Sequence, residues 1–303
     1  MSLQLIVGAG STGSATATQL AEAGDQVRIV SRRGGGPDHP NIERVAADAT
    51  DTETLATLAK GAATLFNTAM PGYDRWPQDW PPLAASMLAA AERTGASYVM
   101  LGNTYGYGRV VGQLTEDLPM APISVKGRVR ARMWHDALEA HQAGRVRVTE
   151  VRGNHFVGPA TVSLFTLSVA PEILAGRAGW WPGDLDAPYS WTYTGDAAAT
   201  LVAASRSEAA WGQAWHVPSF SELSVRELTG VFAELAGVRE HVLRELSNEE
   251  LWALARKDAI AAEFREMRYL LDLPELLDST KTQEVLGVKP STIDSVLLEM
   301  ISG

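Results

Sequence analysis

Short runs of β-branched and aliphatic residues alternate with Ala- and Leu-rich stretches through the first half of the chain, the rhythm of a parallel α/β sheet. The apolar run Leu3–Val7 predicts a first strand, and a loop from Gly8 to Gly13 separates it from a helix reaching about Ala23. Gly24 stands where a left-handed glycine stops a helix. Further strands are expected over Gln26–Val30, Ile42–Ala47, Ala63–Ala69, Ser97–Asn103 and Val146–Val151. Helices fall between them: one opened by Thr50 and Glu53 as a capping box, one over about Pro82–Arg93, one over about Val125–Ala143.

Beyond Gly153 the alternation loosens. Helical stretches are expected over 162–175 and 196–206, bracketing a Trp/Gly/Pro/Asp-rich segment from Gly179 to Trp191. From Trp215 the pattern is helical and charged, most clearly over Ser221–Gly237 and Asn248–Arg268. The expected fold class is α/β: a Rossmann doubly wound parallel sheet with a smaller, mostly helical C-terminal substrate domain. The nucleotide domain is expected at 1–155 with a return contribution from about 187–215, and the substrate region at 156–186 and 216–303.

Composition narrows the partners. The chain has 303 residues, 46% hydrophobic and 20% charged, with a net charge of −10. Such a charge repels nucleic acid and anionic membranes, so neither is an expected partner. No apolar run of about 20 residues suggests a membrane span. The start shows no basic segment ahead of an apolar one, so no signal peptide is read. With no cysteine in the chain, disulfides and thiolate chemistry are excluded, which fits a cytoplasmic location. The six histidines are scattered, and Asp184 and Asp186 lack a third ligand, so no metal is expected.

The loop Gly8-Ala9-Gly10-Ser11-Thr12-Gly13 fits G-x-G-x-x-G. The first glycine makes a tight turn, the second lets a pyrophosphate approach the backbone, and the third lets helix and strand pack closely. In a chain with 27 glycines the pattern alone is weak. Here it follows an apolar strand and opens a helix, the context a dinucleotide site needs. The second strand ends in Ser31-Arg32-Arg33 rather than in the acid that would accept from a ribose 2′-hydroxyl. A hydroxyl and two guanidinium forks suit a 2′-phosphate, so NADP is the favoured cofactor, with NAD as the alternative. Asp48, followed by Ala49, either meets the adenine edge or caps the next helix.

Six later segments bear on function. They are Asn67-Thr68-Ala69, Tyr98–Gly108 ending in Tyr107-Gly108, Arg152–Pro159, Trp191–Ala198, Ser224–Leu228, and Ser279–Pro290. In that order they resemble the extended branch of the short-chain dehydrogenase/reductase superfamily, the NAD-dependent epimerase/dehydratase enzymes. The resemblance implies that Asn67, Thr68, Ala69 and Asn154 line the cofactor. It also implies a Ser or Thr ending the fifth strand and a Tyr-x-x-x-Lys on the next helix. Asn103 holds the first position, with Thr104 beside it; Lys126 and Arg130 hold the other two. The spacing keeps both cations on one helix face, but the phenol is gone. Arg130 retains a charge for ribose hydroxyls, and Lys126 becomes the expected acid/base and a cofactor contact, with Asn103 or Thr104 orienting the substrate oxygen. The expected activity is that of an NAD(P)-dependent oxidoreductase, epimerase or dehydratase acting on a small carbonyl/alcohol or sugar nucleotide. The alternative is a non-catalytic NADP(H)-binding redox sensor or regulator. The same resemblance makes the helix over Val125–Ala143 a candidate homodimer element.

Two aromatic clusters are candidate substrate walls, one holding Trp76 and Trp80, the other Trp181. Each of these indoles also suits core packing. His155 and Tyr193 complete the expected substrate set, His155 reading either as an acid/base or as a hydrogen-bonded structural histidine. Asp196 is expected to cap the helix that follows it.

Overall fold

A five-residue apolar run ended by glycine is too short for a helix, and it forms β1 (Leu3–Val7), almost wholly buried as parallel strands are. The computed structural model describes residues 2–302. The strands β2 (Gln26–Ser31), β3 (Ile42–Ala46), β4 (Ala62–Asn67), β5 (Ser97–Asn103) and β6 (Val148–Gly153) follow in the chain. Two short pairs, β7 (Phe156–Val157) with β9 (Thr192–Tyr193) and β8 (Gly179–Trp181) with β11 (Leu243–Glu245), lie outside the main sheet. β10 (Ala214–His216) returns to it as an edge strand beside β6. The seven-stranded sheet runs β3-β2-β1-β4-β5-β6-β10 with all pairs parallel. The chain therefore winds outward in both directions from β1, and the switch point lies between β1 and β4, where such sheets bind ligands.

The helices are α1 (Ser11–Glu22), α2 (Thr52–Ala59), α3 (Trp76–Thr94), α4 (Val125–Gln142), α5 (Leu164–Ser168), α6 (Ala170–Leu174), α7 (Thr194–Arg206), α8 (Val225–Leu235), α9 (Asn248–Ala255), α10 (Ala259–Met267) and α11 (Ile293–Ser302). Helices α2, α3 and α4 cover one sheet face around Leu65, Met87, Tyr98 and Val148. The pair α1 and α7 covers the other around Ile6, Leu20, Phe66 and Leu201. A third apolar cluster gathers Phe165, Trp181, Tyr189, Trp191 and Phe232 among the later elements.

Several boundaries differ from the sequence expectation. Helix α2 is capped by Asp51, whose carboxylate accepts from Glu53 N and Thr54 N at 3.1 and 3.2 Å, not by Thr50. Helix α3 begins at Trp76, since a proline in the first turn costs no hydrogen bond. The 162–175 stretch is two short helices meeting at Val169, and 248–268 breaks at Asp258, which caps α10 by accepting from Ile260 N and Ala261 N. Asp196 does not cap α7; its carboxylate accepts from Ser291 N and Oγ at 2.9 and 2.7 Å, tying the C-terminal segment to that helix.

Candidate active site

At the switch point the glycine loop closes tightly. Gly8 has φ +112°, and a Cβ there would come within 2.6 Å of the Thr68 and Ala69 backbone. A Cβ on Gly13 would collide with the Gly8 carbonyl oxygen, which accepts from Thr68 Oγ1 at 3.0 Å. Gly10 faces open space, with nothing within 4 Å of its Cβ position. It is also the N-cap of α1, with no side-chain cap and no acid in the first turn. Ser11 is half-exposed on that turn, whereas Thr12 is buried, its carbonyl taken by Thr16 Oγ1. The first-turn N–H groups and the positive dipole end are therefore free for an anion.

At the end of β2, Ser31 Oγ accepts from Gly35 N at 2.9 Å, which turns the chain so that Arg32 and Arg33 reach solvent. Asp48 accepts from Thr50 N and Oγ1 at 2.9 and 2.8 Å; these bonds hold its carboxyl below the usual range. Ala49 is buried beneath it. On β4, Asn67 donates to Tyr98 OH at 2.9 Å and accepts from Ala69 N at 3.3 Å, and Thr68 caps the Val7 and Gly8 carbonyls.

The carboxyl ends of β5 and β6 and the start of α4 frame the centre. Asn103 accepts from Tyr105 N at 3.2 Å through Oδ1, which leaves its amide nitrogen to donate. Thr104 is fully buried, and its Oγ1 has no hydrogen-bond partner among the described residues. Lys126 is buried too, with Nζ ion-paired to Glu263 and to Glu266 (3.1 Å) of α10 and 4.6 Å from the Tyr73 ring centroid. Glu266 also accepts from Val125 N at 2.8 Å, so an acid from α10 reaches the positive end of α4. The Arg130 guanidinium lies over Trp76 and Trp80 at 4.8 and 4.5 Å and donates to the Leu101 carbonyl at 3.1 Å. Burial pulls its pKa down to about 10, against the opposing pull of Glu150.

Next to this centre Tyr105 and Tyr73 place their hydroxyls 3.2 Å apart. Beyond them a buried network runs from Glu150 through Arg152 (2.6 Å) to Tyr107 OH (2.6 Å) and on to His216 Nε2 (2.8 Å). It anchors the turn after β5. Asn154 is clamped by Thr192 Oγ1 and donates to the Glu275 carbonyl at 3.4 Å. His155 adopts φ +40°, a conformation that costs a non-glycine residue on the order of 1–3 kcal/mol. Its ring packs against Tyr189, Trp191 and Trp181 at 4.5, 5.3 and 6.0 Å, with Nε2 3.6 Å from Glu275 Oε2.

The walls expected from tryptophan need correction. Trp76, Trp80 and Trp181 are completely buried: the first two meet edge-on beneath the Arg130 guanidinium and the third packs on His155, so none forms an open face. Tyr193 lies apart from the aromatic box, packing on Gly195 and Gly158 and donating to Glu299 of α11. Lys126 is not the free amine expected of an acid/base. The residues that sequence reasoning passed over are Tyr73, Tyr105, Glu263, Glu266 and Glu275. Tyr105 was legible as the phenol nearest Asn103; the three acids come from segments whose return to this edge no local pattern signals. On the α4 surface His135, Asp136 and Glu139 place ligand atoms within 4.8 Å of one another, but Asp136 is already paired with Arg132 at 2.7 Å.

Comparisons with known proteins agree with this fold. A family model described as the NAD-dependent epimerase/dehydratase family matches residues 4–217. No curated protein sequence matches the chain. Among solved structures, the enzyme WbmH of Bordetella bronchiseptica in complex with NAD+ is similar over 100% of this chain and 98% of its own, at 21% identity and a TM-score of 0.76. A UDP-glucose 4-epimerase of Thermotoga maritima with UDP-glucose covers 99% and 97%, at 18% identity and 0.80. A UDP-glucuronic acid 4-epimerase of Bacillus cereus, with UDP-glucuronic acid and NAD, covers 99% and 98% at 16% and 0.79. Identities this low establish a shared fold.

Proposed function

The chain belongs to the NAD-dependent epimerase/dehydratase family, and from that premise we propose that it binds NADP and uses it to oxidise or reduce a carbonyl/alcohol carbon of a sugar-nucleotide substrate. The observation that carries the reading is the glycine cradle, with Gly10 open, the α1 N-terminus uncapped, and two arginines in solvent at the end of β2. These residues fit a pyrophosphate at Gly10–Gly13 and a 2′-phosphate at Ser31, Arg32 and Arg33. A nicotinamide bound at the carboxyl ends of β4, β5 and β6 would supply hydride transfer. In this reading Asn67, Thr68, Ala69 and Asn154 line the cofactor, Arg130 supplies a fixed positive charge, and Asn103 orients the substrate oxygen by donating to it. Sugar-nucleotide chemistry draws support from the UDP-sugar complexes of the structurally similar enzymes.

Calorimetry of the purified chain with NADP+ and NAD+ tests the cofactor. NADP+ is expected to bind at least about tenfold tighter, ~1.4 kcal/mol, and an Arg32→Ala/Arg33→Ala variant to lose that margin. Equal affinities in the parent chain overturn the NADP assignment. Following absorbance of the bound cofactor while UDP-glucose and UDP-glucuronic acid are added then tests the substrate class.

One observation favours a second reading, a nucleotide-binding regulator without turnover: the Lys126 ammonium is held by its own carboxylates. Tight NADP(H) binding with no redox change across a broader sugar-nucleotide panel supports that role.

A further inference from the structure

We propose that Tyr105 is the proton-transferring group of this centre, with Tyr73 as the hydrogen-bonded partner that stabilises its phenolate. The inference rests on the nicotinamide reading above. When hydride reaches a carbonyl carbon, the carbonyl oxygen must take up a proton, and the reverse reaction must remove one. The side chains at this edge limit the choice. Arg130 has its guanidinium over two indoles that meet edge-on, and it stays charged near neutral pH. Lys126 has its ammonium committed to Glu263 and Glu266. The Asn103 amide donates a hydrogen bond but is neither acid nor base near neutral pH, and Thr104 is fully buried.

Tyr105 is placed differently. It is the second residue beyond β5, its backbone N–H is fixed by Asn103 Oδ1, and the residue as a whole is only partly buried. The ring stacks on Trp76 at 5.8 Å and 30°, which sets the phenol's direction, and the Arg130 guanidinium also lies over that indole. Its hydroxyl is 3.2 Å from that of Tyr73, whose ring carries the Lys126 ammonium.

The two phenols are not equivalent. Burial raises the Tyr105 pKa, keeping it protonated near neutrality, while the Tyr73 hydrogen bond and the Arg130 charge favour its anion and Glu275 and Glu266 oppose it. Tyr73 is raised much further, by burial and then by Tyr105, Glu266 and Glu263, so it remains the donor. In the reductive direction the Tyr105 O–H bond breaks as the substrate O–H forms. The electron pair stays on the phenolate oxygen, and the reduced nicotinamide is oxidised in the same step. Tyr73 O–H holds the phenolate until it regains a proton from solvent. The oxidative direction reverses each transfer.

The test needs no substrate. Protein labelled with 13C at the tyrosine ring carbon bearing the hydroxyl is titrated by NMR, with Tyr105→Phe assigning the resonance. Of the seven tyrosines, Tyr105 is expected to ionise at the lowest pH, to move lower when NADP+ binds, and to move up by about one pH unit in Tyr73→Phe. Tyr105 titrating with the buried bulk of the tyrosines, or indifferent to Tyr73→Phe, overturns the proposal. Calorimetry with NADP+ on the same samples separates the two failures. Absent NADP+ binding in the parent chain refutes the cofactor reading, while NADP+ binding in the parent with no special Tyr105 titration refutes the phenol.

Discussion

The buried imidazole of His216 has its tautomer decided by its partners. The Asp278 carbonyl oxygen, 2.8 Å from Nδ1, can only accept, so Nδ1 carries the proton. Nε2 then accepts from Tyr107 OH, whose oxygen accepts from Arg152. Protonating the ring would place a second donor against that hydroxyl and a charge in a dry interior. Burial accordingly pulls the His216 pKa from 6.5 to about 4, with Arg152 and Lys281 pushing the same way and Asp278 opposing. Above pH 6.5 both folded and unfolded chains hold the neutral ring and its contribution to stability is complete. Between 6.5 and 4 the unfolded chain binds a proton that the folded chain does not, and that contribution falls by about 3 kcal/mol. A His216→Gln variant keeps one donor and one acceptor but does not titrate. Denaturant midpoints from pH 7 to pH 4 should fall more steeply for the parent chain than for the variant. Parallel curves would remove His216 from the account.

At the scale of elements, the loop joining β1 to α1 separates structural from binding requirements in neighbouring glycines. Gly13 lies where any side chain meets the Gly8 carbonyl oxygen and Thr68 Oγ1, so Gly13→Ala must push α1 off the sheet. Gly10 has ordinary dihedrals, φ −75° and ψ −177°, and nothing in front of it. Gly10→Ala is thus expected to lower the thermal midpoint only slightly, as alanine is a poorer N-cap, while weakening NADP+ binding at least about tenfold, because the new methyl would occupy the space proposed for the pyrophosphate. Gly13→Ala should lose both. An unchanged NADP+ affinity in Gly10→Ala would mean that no pyrophosphate approaches this loop. The distinction also marks what the sequence could carry. The loop, its strand and its helix were legible because spacing and periodicity are local. The edge strand β10 was not, because three residues, Ala214–His216, hold too few positions to show an alternation. Nor was the break at Asp258, since a polar cap inside a charged helical stretch does not stand out from its surroundings.

Across the whole molecule, the carboxyl edge of the sheet is completed by chain that arrives more than a hundred residues later. Helix α10 lays Glu263 and Glu266 on Lys126, Phe264 beside Tyr73, and Glu266 on the first turn of α4. Sequence reasoning could name Lys126 and Arg130 but not their environment, because ion pairs at such separation leave no local trace. A cation that looked like a free acid is instead the post to which the last third of the chain is tied. The tie is local: α10 packs on α9 and on the turn that holds Tyr73, and an open depression of about 600 Å³ along the two helices is bounded by Trp252, Glu263, Arg265 and Glu266. Removing both charges should therefore open α9–α10 without unfolding the sheet. In a Glu263→Gln/Glu266→Gln variant, amide hydrogen exchange across 248–268 is expected to quicken about tenfold or more, the ~1.4 kcal/mol of a lost charged contact that is only partly buried. Exchange in β1, β4 and β5 should stay as in the parent chain. High salt should reproduce part of the effect in the parent and little in the variant, since screening acts on the same partly exposed carboxylates. Uniform acceleration through the sheet would show that these acids support the global fold; no acceleration anywhere would show that α10 is held by packing, and Lys126 would then be free to return as a candidate acid.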